Sequence, residues 1–300
     1  MYIPPGMKLN IPDALKSDVP QTLWGKVLAA TPVVMTVVAT MLAGLASSEM
    51  TRAQYSRSLA AQQQSKAGSQ WGYFQAKRLR AGLQRNTLDL LQNTTDIHAL
   101  DPALLGTGSV TLQTIAALRD GQLPELSAAP PAEPRVQAAL TAVEALRPEA
   151  EITTAIRAVN DPVLAAAVQS AWDRSTALDQ ALQPINDTID QLEKNLATPA
   201  SRRDFTAARL RFAAARYDRE AKANQAIANL YELQVRRSNL AAERHHQRSQ
   251  QFFFGMLASQ AGVIIATFAM AARKRSLLWL IAAAAGLSAV GFAIYVYLCV

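Results

Sequence analysis

The run RRDFTAARLRFAAARYDREAKANQAIANLYELQVRRSNLAAERHHQRSQ, residues 202–250, decides the fold. It holds neither Pro nor Gly, and Ala and Arg dominate it, so nothing in it interrupts a helix. It leads directly into FFFGMLASQAGVIIATFAMAA, residues 252–272, and stops at Arg273, Lys274 and Arg275. About 20 apolar residues suffice to cross the hydrocarbon core of a bilayer. A water-exposed helix that becomes a transmembrane one is therefore expected, and the rest of the chain either pairs with it or hangs from it.

Two further apolar stretches have the same length. Residues 27–46, VLAATPVVMTVVATMLAGLA, carry no charge, and Pro32 one turn in is tolerated in a membrane helix. The long, Pro-rich segment before it favours a retained anchor over a cleaved signal peptide. Residues 277–298 form the third, with Trp279 at one end and Tyr295 and Tyr297 near the other, as an aromatic belt requires. Gly286 and Gly291 offer this span a small-residue face.

Between the first span and residue 92 there is no Pro, which predicts a second long helix. Its expected stripe is Leu59, Gln62, Lys66, Ser69, Tyr73, Ala76, Leu79 or Arg80, and Leu83. The stripe expected on the later helix is Leu210, Ala214, Tyr217, Ala221, Asn224, Ala228, Tyr231 and Val235, a four–three rhythm. Asn224 would set register there. The two helices are expected to run antiparallel as one stalk.

The middle of the chain is broken by turn formers: Pro102, Gly106, Gly108, Gly121, Pro124, Pro130, Pro131 and Pro134. Short helices are expected at 112–118, 135–146, 149–159, 163–182 and 185–196, with Asp161 capping the fourth and Pro184 separating the last two. Charge is segregated. Residues 86–200 hold 6 Lys/Arg against 15 Asp/Glu, residues 47–85 hold 7 against 1, and residues 201–250 hold 11 against 5. Basic zones beside membrane segments suit anionic headgroups, so no nucleic-acid partner is expected.

The fold class expected is an all-α membrane protein with three transmembrane helices, a long antiparallel two-helix stalk and a small helical head. The segments are an irregular 1–26, a span at 27–46, stalk helix 47–92, an acidic head at 93–201 at the far end of the stalk, stalk helix 202–251, and spans at 252–272 and 277–298. A short turn carrying Arg273, Lys274 and Arg275 signals a cytoplasmic side. It places the N-terminus in the cytoplasm and the head and C-terminus in the periplasm of a bacterial inner membrane. Six basic residues flank the membrane on the head side and six on the other, so the short turn decides the assignment.

Chemistry-bearing clusters are few. His245 and His246, with Glu243 nearby and His98 elsewhere, are the sole metal candidates, but adjacent histidines diverge on a helix, so no metal site is expected. The single cysteine, Cys299, excludes an intrachain disulfide. The densest aromatic cluster, Trp71, Tyr73 and Phe74 with Lys77, is expected to pack on the later helix. No phosphate loop or nucleophile elbow is present, and the spans carry no ionisable residue at their centres.

SQWGYFQAKRLR, residues 69–80, resembles the signature of a bacterial membrane family, the domain of unknown function 4337. Tyr217-Asp218 and the basic turn at 273–275 resemble two further features of that family. The resemblance covers about 27–91 and 205–298 and makes 93–200 look like an insertion. It implies no activity and no cofactor. A non-enzymatic membrane scaffold or accessory subunit is expected, self-associating or joined to a larger membrane complex. An oligomeric pore is the alternative. Trp71, Tyr73, Phe74, Lys77, Tyr217, Asn224 and Tyr231 are the expected helix-packing or partner residues, with no cofactor and no small-molecule substrate.

Overall fold

The computed structural model describes residues 23–100, 112–126, 133–195, 198–271 and 276–299. Among them are seven helices and no strand: α1 (Leu23–Thr94), α2 (Leu112–Asp120), α3 (Pro134–Glu144), α4 (Glu149–Arg157), α5 (Asp161–Asn195), α6 (Pro199–Ala271) and α7 (Ser276–Cys299). The expected first span and first stalk helix are one uninterrupted helix, α1, and the second pair is one helix, α6. Each is long and apolar enough along part of its length to cross a membrane. The irregular segment 1–22 and the basic turn at 273–275 lie outside the described residues.

The chain divides into two compact units. Unit 1 comprises residues 1–57 and 240–300, and unit 2 comprises residues 58–239.

In unit 1, α1 contributes Leu42 and Ala46, α6 contributes Phe252 and α7 contributes Ala289 to one buried cluster. Small residues make the approach possible. Met35 of α1 lies against Gly262 of α6 and Gly286 of α7, and a Cβ at Gly262 would overlap the Met35 methyl. Gly291, expected to share this packing role, has open space around it. Ser249 Oγ donates to the Ala46 carbonyl at 2.7 Å, and Glu49 meets His245 Nδ1 at 2.6 Å. As one helix rises in number the other falls, so the pair is antiparallel.

In unit 2 the same sense holds. Gln63 meets Ser238, Trp71 meets Glu232 and Arg85 meets Asp218. On this part of α1 the buried positions are Ala60, Ala67, Gln70, Ala81 and Leu88, and the alanines and Leu88 are each seven or fourteen residues from the last. This overturns the expected stripe, which runs one residue too early. Tyr73, Leu79 and Leu83, all assigned inward, are exposed. The physical reason is that α6 is close-packed through alanine, and large side chains at those seats would hold the axes apart.

The acidic middle is not a head at the far end of the pair. Helix α5 runs back along α6 from one end of unit 2 to the other. Glu193 meets Arg209 at 2.6 Å, Asn186 meets Arg216 at 2.7 Å, Trp172 meets Tyr231 at 3.2 Å, and Asp161 meets Arg237. Its apolar positions Leu178, Leu182, Ile185, Ile189 and Leu192 pack on Phe205, Ala208 and Phe212 of α6. Unit 2 is therefore a bundle of α1, α5 and α6, with α2, α3 and α4 at its sides. Three carboxylates of the middle region, Glu149, Asp161 and Glu193, pair with the α6 cations Arg236, Arg237 and Arg209.

Pro184 does not end a helix as expected; it lies inside α5. It is exposed, so its ring points to solvent while Leu182 and Ile185 keep their inward seats. Asp161 is the first residue of that helix, and the Leu164 amide donates to the Asn160 carbonyl at 3.0 Å. Glu133 caps α3 by accepting from the amides of Arg135 and Val136 at 3.1 and 3.2 Å, with Pro134 at the first position. Gly121 closes α2 in the left-handed conformation, φ 69°, as the Gly121 and Gln122 amides reach back to Ala117 and Ala116.

Candidate functional site

The polar residues of unit 2 gather where α1 crosses the middle of α6. Lys77 of α1 is ion-paired with Glu220, and Arg85 and Arg78 both reach Asp218. Glu220 also lies 3.3 Å from Arg216. The ring of Tyr217 lies at the centre, with Lys77 at 5.3 Å, Arg80 at 5.9 Å and Arg216 at 4.8 Å from its centroid. Three cations around one ring share its negative face. The carboxylates on either side balance their charge. Asp179 of α5, itself exposed, is raised from its ordinary value by partial desolvation first, with Glu220 adding to it and Lys77 and Arg216 opposing.

Nearly two turns earlier on α1, Trp71 donates through Nε1 to Glu232 at 2.6 Å and packs edge-on against Phe74 at 5.4 Å. Tyr231 is buried between two helices. Lys66 of α1 lies 5.8 Å from its ring, and its hydroxyl accepts from Trp172 of α5.

Of the residues singled out from sequence, the structure brings Trp71, Lys77, Tyr217 and Tyr231 to these helix contacts, and Phe74 joins through Trp71. Tyr73 is turned outward at 57% exposure. Asn224 donates to the Glu220 carbonyl of its own helix at 3.0 Å, so its side chain serves α6 and not the register between helices. Arg273, Lys274 and Arg275 lie outside the described residues.

The histidines separate. His245 meets Glu49, His246 meets Gln250 at 3.1 Å, and the His98 amide donates to Asp204. Glu243 accepts from Gln247. Among the described residues no group of three or more His, Cys, Asp or Glu is placed to hold a metal ion. Glu49 was missed in the sequence. It is the one acid among residues 47–85, and it occupies an inward seat seven residues after Leu42, which was the available signal.

Paired charges of this kind fix how two helices slide and rotate against each other. Each contributes little to stability, since partly exposed pairs are worth about 0.2–1 kcal/mol. Their specificity lies in register.

Residues 24–104 match a family model. The family is described as a domain of unknown function (DUF4337). The DUF4337 match covers nearly all of α1, including the Trp71–Lys77 segment, and ends short of α2. The resemblance over 205–298 falls outside it, and the match runs on to residue 104, into the stretch 93–200 that reads as an insertion. Neither the curated proteins nor the solved structures yield a match.

Proposed function

We propose that this protein is a non-enzymatic, membrane-anchored helical scaffold or accessory subunit, with unit 1 in the bilayer and unit 2 in water. The observation that supports it is the outer surface of unit 1. Val33 and Met41 on α1, Ile264 and Phe268 on α6, and Leu280 and Leu287 on α7 are each more than half exposed. Apolar surface on three sides of a helical unit fits acyl chains, not water. On this reading α7 is a third span beside the apolar stretches of α1 and α6. The paired helices are a short-seamed coiled coil, and unit 2 offers its surface to a partner membrane protein or to further copies.

The proposed setting is a bacterial inner membrane, with the N-terminus cytoplasmic and unit 2 and the C-terminus periplasmic. The basic turn at 273–275 supports that orientation. Alkaline phosphatase fused after Val300 should be active, and an inactive fusion reverses the orientation. For the function itself, the full chain is taken from its own membrane in mild detergent and its companions are identified by mass spectrometry. Stoichiometric recovery of one membrane complex, or of the chain's own oligomer, is the expected result. Reproducible conductance of the purified protein in liposomes would replace the scaffold by a pore.

A further inference from the structure

On one side of unit 1, α1 and α6 leave a cleft of about 470 Å3 between Thr36, Ala39, Thr40 and Ala43 on one helix and Gln260, Val263 and Ile264 on the other. The two hydroxyls in it are already used. Thr36 donates to the Pro32 carbonyl at 2.8 Å and Thr40 to the Thr36 carbonyl at 2.9 Å. Gln260 is exposed and has no hydrogen-bond partner among the described residues. Its amide offers two donors and an acceptor with two lone pairs.

The placement makes this costly. Gln260 lies near the middle of the apolar stretch 252–272, where neither water nor headgroups reach. Acyl chains supply no donor or acceptor. No described residue completes it, which leaves its amide open to a partner from outside. A primary amide is self-complementary: two of them related by a two-fold axis donate to and accept from each other. Ala39 and Ala43, four residues apart beside it, let another helix come close.

We propose that Gln260 and this cleft form the membrane-embedded contact between two copies of the chain. The proposal rests on the membrane reading above and names the surface through which self-association occurs.

The test uses full-length protein in its native membrane, with Cys299→Ala removing the natural thiol. Gln260→Cys, Thr36→Cys and Ala43→Cys are oxidised in turn, and Leu287→Cys, exposed on α7, is the control. A disulfide-linked band at twice the chain mass is expected for position 260 and at least one neighbour, and not for 287. In lipid-dilution energy-transfer measurements, Gln260→Leu should weaken the dimer about 3- to 30-fold, the range for an interhelical polar contact in membranes. No crosslink at any cleft position, equal crosslinking at 287, or a crosslink to a different protein overturns the proposal. Alkaline carbonate extraction separates the two readings. A chain that stays in the membrane without crosslinking sinks the contact alone, whereas a chain that is released sinks the membrane reading as well.

Discussion

Helix α6 meets α1 on one face and α5 on another, and the two seams are made of different material. Toward α5 it buries Phe205 and Phe212 against Leu178, Leu182, Ile185 and Ile189. On the α1 side the inward seats of α1 are mostly alanines, Ala60, Ala67 and Ala81, and α6 itself buries Ala214, Ala221 and Ala228. A large apolar side chain gains about 1.5–3 kcal/mol on full burial and alanine far less. The α5 seam therefore supplies most of the cohesion of unit 2. Apart from Leu88 and Leu91, which pack on Ala207 and Leu210, the α1 seam depends on close approach and on its ion pairs, and so contributes alignment more than strength. That helices of such length pair through alanine suits a part whose geometry matters to its neighbours.

The contrast is broken most directly on the α5 side. Phe212→Ala should cost about 3–5 kcal/mol and Leu182→Ala about 2–5 kcal/mol, read from equilibrium denaturation of the full chain in detergent by far-ultraviolet circular dichroism. A loss under about 1 kcal/mol in both would mean that this seam does not carry unit 2.

The α1 side should respond in the opposite direction to side-chain size. Ala67→Leu or Ala221→Leu overfills a seat with no exposure and should cost about 1–3 kcal/mol. Leu79→Ala and Leu83→Ala remove exposed side chains and should stay within about 0.5 kcal/mol of the parent. If the leucines mattered and the alanines did not, the pairing face drawn from the structure would be rotated from the true one.

That reversal also shows what the sequence could and could not say. Long uninterrupted helices were legible at 202–272, because a missing Pro and a changing polarity are local facts. The pairing face on α1 was not, because Leu59, Tyr73, Leu79 and Leu83 carry the visible periodicity, and most of the buried seats are alanines that every face of this helix could supply. The α5 seam was hidden for a different reason. Pro184 splits the spacing of Leu178, Leu182, Ile185 and Ile189 for a reader who treats Pro as a stop, and only solvent on its side of the helix lets the helix continue. The cluster around Tyr217 was half visible. Trp71, Lys77 and Tyr217 stand out by type, but Glu232 and Glu220, the partners of Trp71 and Lys77, come from another helix at a distance no local pattern records.

A smaller effect tests the alignment role of the charges. In a double-mutant cycle on Lys77→Met and Glu220→Gln, the coupling should be about 0.5–1 kcal/mol, falling as salt is raised. Crosslinking of cysteines at Gln63 and Ser238 should lose its sharp dependence on position in the double variant while the helices stay folded. Unchanged sharpness would assign register to the alanine seats alone.

The smallest expected effect concerns Asp179, where the two seams share a charge. Partial desolvation, followed by Glu220, raises this carboxyl above its ordinary value, against the pull of Lys77 and Arg216. The folded protein then keeps the proton to higher pH than the unfolded chain does. In the window between the two values the folded state binds more protons, so stability falls as pH rises through it and stays lower above it. Asp179→Asn removes that slope. The variant should match the parent below the carboxylate range and exceed it near neutrality. The gain should be only a few tenths of a kcal/mol, about the scale of a largely solvated charge. Unfolding midpoints from about pH 3 to 7 measure it. A variant less stable than the parent at neutral pH would show the reverse: that Lys77 and Arg216 outweigh desolvation, and that Asp179 is the clasp between α5 and the α1–α6 pair.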